Sequence, residues 1–77
     1  MTKAEFLHKL EEIMELKTGS LAGNERLTDL DEWDSLKVVE FLALADEQFS
    51  LAVAPKAIAA CKTIDDLRAL LGENVTG

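Results

Sequence analysis

The sequence has one cysteine, one proline, one histidine, no tyrosine and few aromatics of any kind, and its basic side chains are outnumbered by acids. Each shortage excludes something. With Cys61 alone, neither an internal disulfide nor a cysteine-built metal site can form, and nothing points to an oxidising compartment, so a cytoplasmic location is expected. Eight Lys and Arg against 15 Asp and Glu leave a formal net charge of −7, which opposes docking on a phosphate backbone or an anionic membrane. Nucleic acid and membrane are therefore not expected partners. An acidic surface instead steers encounters with proteins that present Lys or Arg. No long apolar run occurs, and Met1-Thr2-Lys3-Ala4-Glu5 leads directly into an amphipathic pattern. Neither a signal peptide nor a membrane-spanning helix is expected, and the sequence reads as one complete soluble chain.

Enough apolar material remains for one modest core. A chain of 77 residues fits a single domain, here 1–77, and at this size folding buries only about 60–65 % of the surface the unfolded chain exposes. Apolar residues are 48 % of the chain and aromatics 5 %, so the core is expected to draw on Leu, Val, Ile and many alanines, a mixture suited to closely packed helices.

The periodicity predicts four helices and no strand. Thr2 with Glu5 is a capping-box pattern, and Phe6, Leu10, Ile13 and Met14 recur at helical spacing, which predicts helix one over 3–17. Its charges Lys3, Glu5, Lys9, Glu11, Glu12 and Glu15 fall mostly off that stripe and are expected to face water. From Thr18 to Trp33, glycines, Ser20, Asn24 and acids surround spaced leucines, the pattern of a long ordered loop pinned to a core. Asp34 is placed to cap a second helix over 35–49, whose apolar arc from Leu36 to Phe49 is wide enough to predict the most buried helix. Pro55 suits the first position of a short third helix over 55–60, and Thr63 with Asp66 repeats the capping pattern before helix four over 64–71. Residues 73–77 are expected to fray.

The segment Leu30-Asp31-Glu32-Trp33-Asp34-Ser35-Leu36 carries the chemistry. It places a hydroxyl at the start of the central helix, where a phosphodiester on Ser35 would lie against free backbone N–H groups and the positive end of the helix dipole. Ser beside Asp is also an ordinary way to begin a helix, and the tripeptide alone does not separate the two readings.

In its context the segment resembles the acyl carrier protein family. Asp34-Ser35-Leu36 is similar to the family's attachment motif, Val39-Glu40-Phe41-Leu42 and Glu47-Gln48-Phe49 to its second helix, and Thr63-Ile64-Asp65-Asp66-Leu67 to the start of its fourth, so that the resemblance covers nearly the whole chain. It implies an all-α four-helix bundle with a long loop between helices one and two. It also implies covalent 4′-phosphopantetheine on Ser35, installed by a phosphopantetheinyl transferase that uses magnesium-bound coenzyme A. The arm's thiol would carry an acyl or aminoacyl group as a thioester from a loading enzyme to synthases or transferases, tethering raising its effective concentration. The carrier itself would be a monomer and catalyse nothing. Asp34, Leu36 and Glu40, with Trp33, are the positions carried over as partner contacts, each with a plainer reading as cap, packing residue, solvated charge or, for Trp33, loop anchor.

The chain departs from the family pattern at three places. Lys37 follows the motif leucine where many members are acidic, the region Ala54–Ala60 lacks the usual acids, and Trp33 stands where glycine or another small residue is frequent, which resembles discrete carriers of specialised pathways more than peptidyl carriers with a Gly-Gly-His-Ser type sequence. Cargo stays open among fatty-acyl, polyketide, aminoacyl and alanyl groups. The alanines at 43, 45, 52, 54, 57, 59 and 60 offer either close helix packing or room for a short acyl chain, and packing is the commoner use. The rival reading is an unmodified helical adaptor. An enzyme is disfavoured: His8 has no matching His, Cys or Asp partner pattern, Cys61 reads as a small apolar residue, and no metal-ligand spacing occurs.

Overall fold

The computed structural model describes residues 1–76. Thr2 is extended, its hydroxyl accepts from the Glu5 N–H at 3.1 Å, and the Glu5 carboxylate accepts from the Thr2 N–H at 2.9 Å. This reciprocal capping box starts α1 (Lys3–Ile13). Helix α1 ends four residues before the expected Lys17. The Leu16 N–H donates to the Glu11 carbonyl at 2.8 Å and the Glu15 N–H to the Glu12 carbonyl at 3.2 Å, while Glu15 takes a left-handed φ of 58°. That is a Schellman closure. Its left-handed position usually falls to glycine, and with glutamate there the sequence shows no stop signal.

Three further helices follow: α2 (Ser35–Phe49), α3 (Pro55–Ala59) with proline at its first position, and α4 (Ile64–Leu70) behind a Thr63–Asp66 capping box. Ala60 and Leu71, expected inside the last two, cap them instead. Two 3-10 turns, Leu27–Asp29 and Gly72–Asn74, complete an all-α fold in which β pairing among the described residues is limited to the isolated bridges Thr2 with Thr76 and Arg26 with Thr63.

The core is less alanine-rich than expected. Phe6 and Leu10 from α1 and Met14, its C-cap, meet Phe41 and Ala45 from α2, Ile58 from α3, and Ile64 and Leu67 from α4, and among the described residues Ala45 is the one fully buried alanine. The other alanines of the 43–60 region are exposed or half-covered and add no fully buried core. Helix α2 is also not the most buried: only Phe41 and Ala45 are fully covered, and Leu36 and Val39 are 61 % and 59 % exposed. One side of α2 has no neighbouring helix to cover it.

Two other expectations are corrected. The segment after α4 is tied down: Val75 is buried, the Lys3 N–H donates to the Thr76 carbonyl at 2.7 Å, and the Thr76 N–H donates to the Met1 carbonyl at 2.9 Å. Residues 73–76 therefore close the chain against its own start, and Gly77 lies outside the described residues. Glu11 does not face water. It is 3 % exposed, because the loop folds over that edge of α1 and presents two N–H groups to its carboxylate.

The loop between α1 and α2 is buried at Leu21 and Leu27 and clipped along its backbone to the start of α4. The Asp65 N–H donates to the Gly23 carbonyl at 2.8 Å, the Ile64 N–H to the Glu25 carbonyl at 3.1 Å, and the Leu27 N–H to the Lys62 carbonyl at 2.9 Å. Gly23 is required by this approach. Its φ is +116°, and a Cβ there would lie 2.8 Å from Asp65 Oδ1.

Three carboxylates that accept from backbone N–H groups are held below their ordinary pKa. For Glu5 the main cause is the Thr2 N–H, and for Asp66 the N–H groups of Lys62 and Thr63. Burial pushes Glu25 upward, but the donors Ala22 and Gly23 outweigh it. A carboxyl depressed by folding stabilises the native state fully above its unfolded value and loses that contribution as pH falls through the lower folded one. The melting temperature should therefore hold steady down to about pH 4.5, the ordinary glutamate value, and drop below it. Glu25→Gln should melt lower at neutral pH and fall less steeply in acid; an acid slope equal to wild type would contradict this assignment.

Candidate functional site

The approach to α2 is set by an aromatic stack. Trp33 is half-buried with its ring edge-on to Phe41, centroids 6.4 Å apart at 73°, and Phe41 meets Phe6 of α1 at 6.4 Å and 82°. Trp33 thus anchors the end of the loop while part of its surface stays exposed. The next residue, Asp34, is extended, and its carboxylate accepts from the Lys37 N–H at 3.0 Å. With the side chain serving as N-cap, α2 begins at Ser35.

Ser35 is exposed at the first position of a helix of 15 residues with no acidic side chain in its first turn. Within the helix start itself, the positive end of the dipole faces the capping carboxylate of Asp34. At 100° per residue, Leu36, Val39, Glu40 and Ala43 project to the side opposite Phe41 and Ala45, and all four are exposed. Lys37 reaches along the surface to Glu40, Nζ to Oε2 3.7 Å, so the acid expected as a partner contact is ion-paired within its own helix. Asp34, Ser35, Leu36 and Glu40 share one accessible end of α2, with Trp33 at its margin. Val39, which the sequence offers only as one member of an apolar arc, belongs to the same surface.

Beside this end lies an open groove of about 350 Å3 whose lining includes Leu27, Thr28, Trp33, Val38, Ile58 and Cys61. Burial, and secondarily the Asp66 charge, pushes the Cys61 thiol above its ordinary pKa, and the thiol donates to the Ala57 carbonyl at 3.4 Å. A thiol held protonated is a poor nucleophile. His8 is exposed on α1, 3.0 Å from Glu12 and 3.8 Å from Glu11, remote in sequence from the α2 start. Among the described residues, no group of three or more His, Cys, Asp or Glu is placed to hold a metal ion, and no helix is long and apolar enough to cross a membrane.

Ser35 is thus an exposed serine at a capped helix start, after a long pinned loop in a four-helix chain. The family model described as phosphopantetheine attachment site matches residues 4–71. The chain belongs to the phosphopantetheine attachment family. Members of this family are defined by covalently attached 4′-phosphopantetheine and are generally non-catalytic carriers that work with synthases and transferases. Membership agrees with the likeness to acyl carrier proteins read from Asp34-Ser35-Leu36. Comparison with curated proteins and with solved structures returned no match.

The cap can be tested by itself. Asp34→Ala should lower unfolding stability by about 0.5–2 kcal/mol, whereas Asp34→Asn, which keeps an acceptor oxygen, should lose much less. Urea midpoints of the two variants check this, and equal losses would show that the Lys37 N–H bond is not what starts α2.

Proposed function

We propose that Ser35 is the attachment residue and that the chain is a carrier without catalytic activity, holding an acyl or aminoacyl group and delivering it to biosynthetic enzymes. The supporting observation is the position of Ser35, exposed at the capped start of α2. A phosphodiester fits there, because the first-turn N–H groups and dipole of α2 favour an anion and no acidic side chain of the first turn opposes it. When bound, the arm supplies a thiol that carries acyl groups as thioesters.

The protein's own residues do the rest. Asp34 fixes the helix start, Trp33 and Phe41 hold the loop end in place, and Ser35 offers its oxygen to a phosphopantetheinyl transferase working from coenzyme A. Leu36 and Val39, flanked by Asp34 and Glu40, offer a docking surface for the transferase, a loading enzyme and the enzymes that take the cargo. Part of the Trp33 ring stays exposed and belongs to that surface. A monomer in the cytoplasm is part of the same proposal, and the lone Cys61 is in keeping with a reducing location.

Co-expression with a broad-specificity phosphopantetheinyl transferase should raise the intact mass by one arm, and Ser35→Ala should stay at the unmodified mass with an unchanged helical spectrum. If the wild-type mass does not move under conditions that convert a control carrier, the protein is a helical adaptor instead. A second outcome separates cap from recognition: Asp34→Asn, folded and nearly as stable as wild type, should take up the arm several-fold more slowly. An unchanged rate would confine Asp34 to capping.

A further inference from the structure

We infer that Glu11 and Glu25 form a two-carboxylate clasp that positions the loop between α1 and α2 and, through it, the loop-side wall of the groove beside Ser35. A loop without helix or strand must still find acceptors for its backbone N–H groups. Here five consecutive groups are accounted for. Glu11, reaching from α1, takes Gly19 and Leu21 at 2.9 Å each on its single oxygen Oε2. Glu25, turning back within the loop, takes Ala22 at 2.7 Å on Oε2 and Gly23 at 2.8 Å on Oε1, while the Ser20 N–H donates to the Lys17 carbonyl at 3.1 Å.

The clasp continues into the rest of the fold. Gly23, Glu25 and Leu27 are the residues whose backbones are clipped to Asp65, Ile64 and Lys62, so the segment held by the carboxylates meets, at Gly23, the stretch that registers the loop against the start of α4. Leu27 and Thr28 follow at once and line the groove together with Trp33. Hydrogen bonds to carboxylates are roughly twice as strong as neutral ones. The loop is consequently held in one place by bonds that its buried leucines alone would not direct. Glu11 is a positioning residue: it touches neither Ser35 nor the groove and acts through the loop. His8 on the same helix lies beside it, Nδ1 3.8 Å from Oε1.

The oxygen pattern gives the test an internal control. Because one oxygen of Glu11 takes both N–H groups, Glu11→Gln can keep both, whereas Glu11→Ala loses both. The two bonds of Glu25 go to different oxygens, so Glu25→Gln must give up one. Amide hydrogen exchange should quicken about tenfold or more at Gly19 and Leu21 in Glu11→Ala, stay near wild type there in Glu11→Gln, and quicken at Ala22 or Gly23 in Glu25→Gln. Acrylamide quenching of Trp33, the chain's one tryptophan, should increase in Glu11→Ala and Glu25→Gln but not in Glu11→Gln. The last measurement rests on the Ser35 reading: KM of the phosphopantetheinyl transferase for this protein should rise about two- to tenfold in the loosened variants with kcat unchanged, the effect of ordering a wall that is no longer preorganised. If Glu11→Ala does not fold, Glu25→Gln carries the same comparison. Freed amides with unchanged Trp33 quenching, or a Glu11→Gln protein that behaves like Glu11→Ala, would overturn the clasp. A wild-type chain that accepts no arm would defeat the Ser35 reading alone, with exchange and quenching still deciding the clasp.

Discussion

The Phe41 ring is where three parts of the chain meet. Phe6 brings α1 to it and Trp33 brings the end of the loop, both edge-on with centroids 6.4 Å away. The chain has three Phe and one Trp, and three of these four rings stand in this stack. Losing a buried phenylalanine ring costs about 3–5 kcal/mol, a large share of the roughly 5–10 kcal/mol on which a domain of this size stands. The consequence is positional as well as energetic. Trp33 immediately precedes the capping residue, so an aromatic contact in the core fixes where α2 begins and where the Ser35 hydroxyl lies.

Around that contact the structure divides its two faces sharply. Phe41 and Ala45 turn inward, while Leu36 and Val39 remain in water although burial would favour each by about 1.5–3 kcal/mol. Folding alone gives no reason to keep them exposed. The opposite choice is made at Glu11, a charged side chain that the fold covers almost completely and satisfies with two loop N–H groups. The apolar residues left outside are those of the proposed docking surface, and the carboxylate taken inside is the one inferred to keep the loop in register.

The sequence makes the local signals legible and leaves the tertiary ones hidden. Both capping boxes, Asp34 as N-cap, Pro55 at a helix start and the all-α class follow from short-range chemistry that the side chains carry with them. The likeness of Asp34-Ser35-Leu36 to an attachment motif belongs with these, because a helix start is a local structure. The stop of α1 was hidden because its left-handed residue is Glu15 rather than glycine. The fate of Glu11 was hidden because a charge beside an apolar stripe reads as solvated until the loop that covers it is known. The exposed flank of α2 was hidden for a related reason: periodicity shows which residues are apolar but not how many neighbours a small bundle has to cover them. Thr76 and Val75 depend on pairing with the other end of the chain, which no window of sequence contains.

The charge pattern then decides how such a surface can work. A net charge of −7 acts on approaching proteins over a Debye length of about 8 Å at physiological ionic strength. At the α2 surface itself the balance is different, since Lys37 and Glu40 offset one another at 3.7 Å beside Leu36 and Val39. The Lys37 side chain is 15 % exposed and that of Glu40 45 %, and a surface ion pair adds about 0–1 kcal/mol to stability, so its main effect is to leave the two apolar side chains in a nearly neutral setting. In the docking proposed for this face, attraction at a distance would come from the whole chain and adhesion on contact from two side chains. Two side chains bury too little area for a long-lived complex, and electrostatic steering changes arrival more than departure. Docking built this way would be quick to form and quick to break, as the proposed carrier role requires: an arm would keep cargo concentrated at the enzyme while the carrier is bound, and a short-lived contact would free the carrier for the next partner.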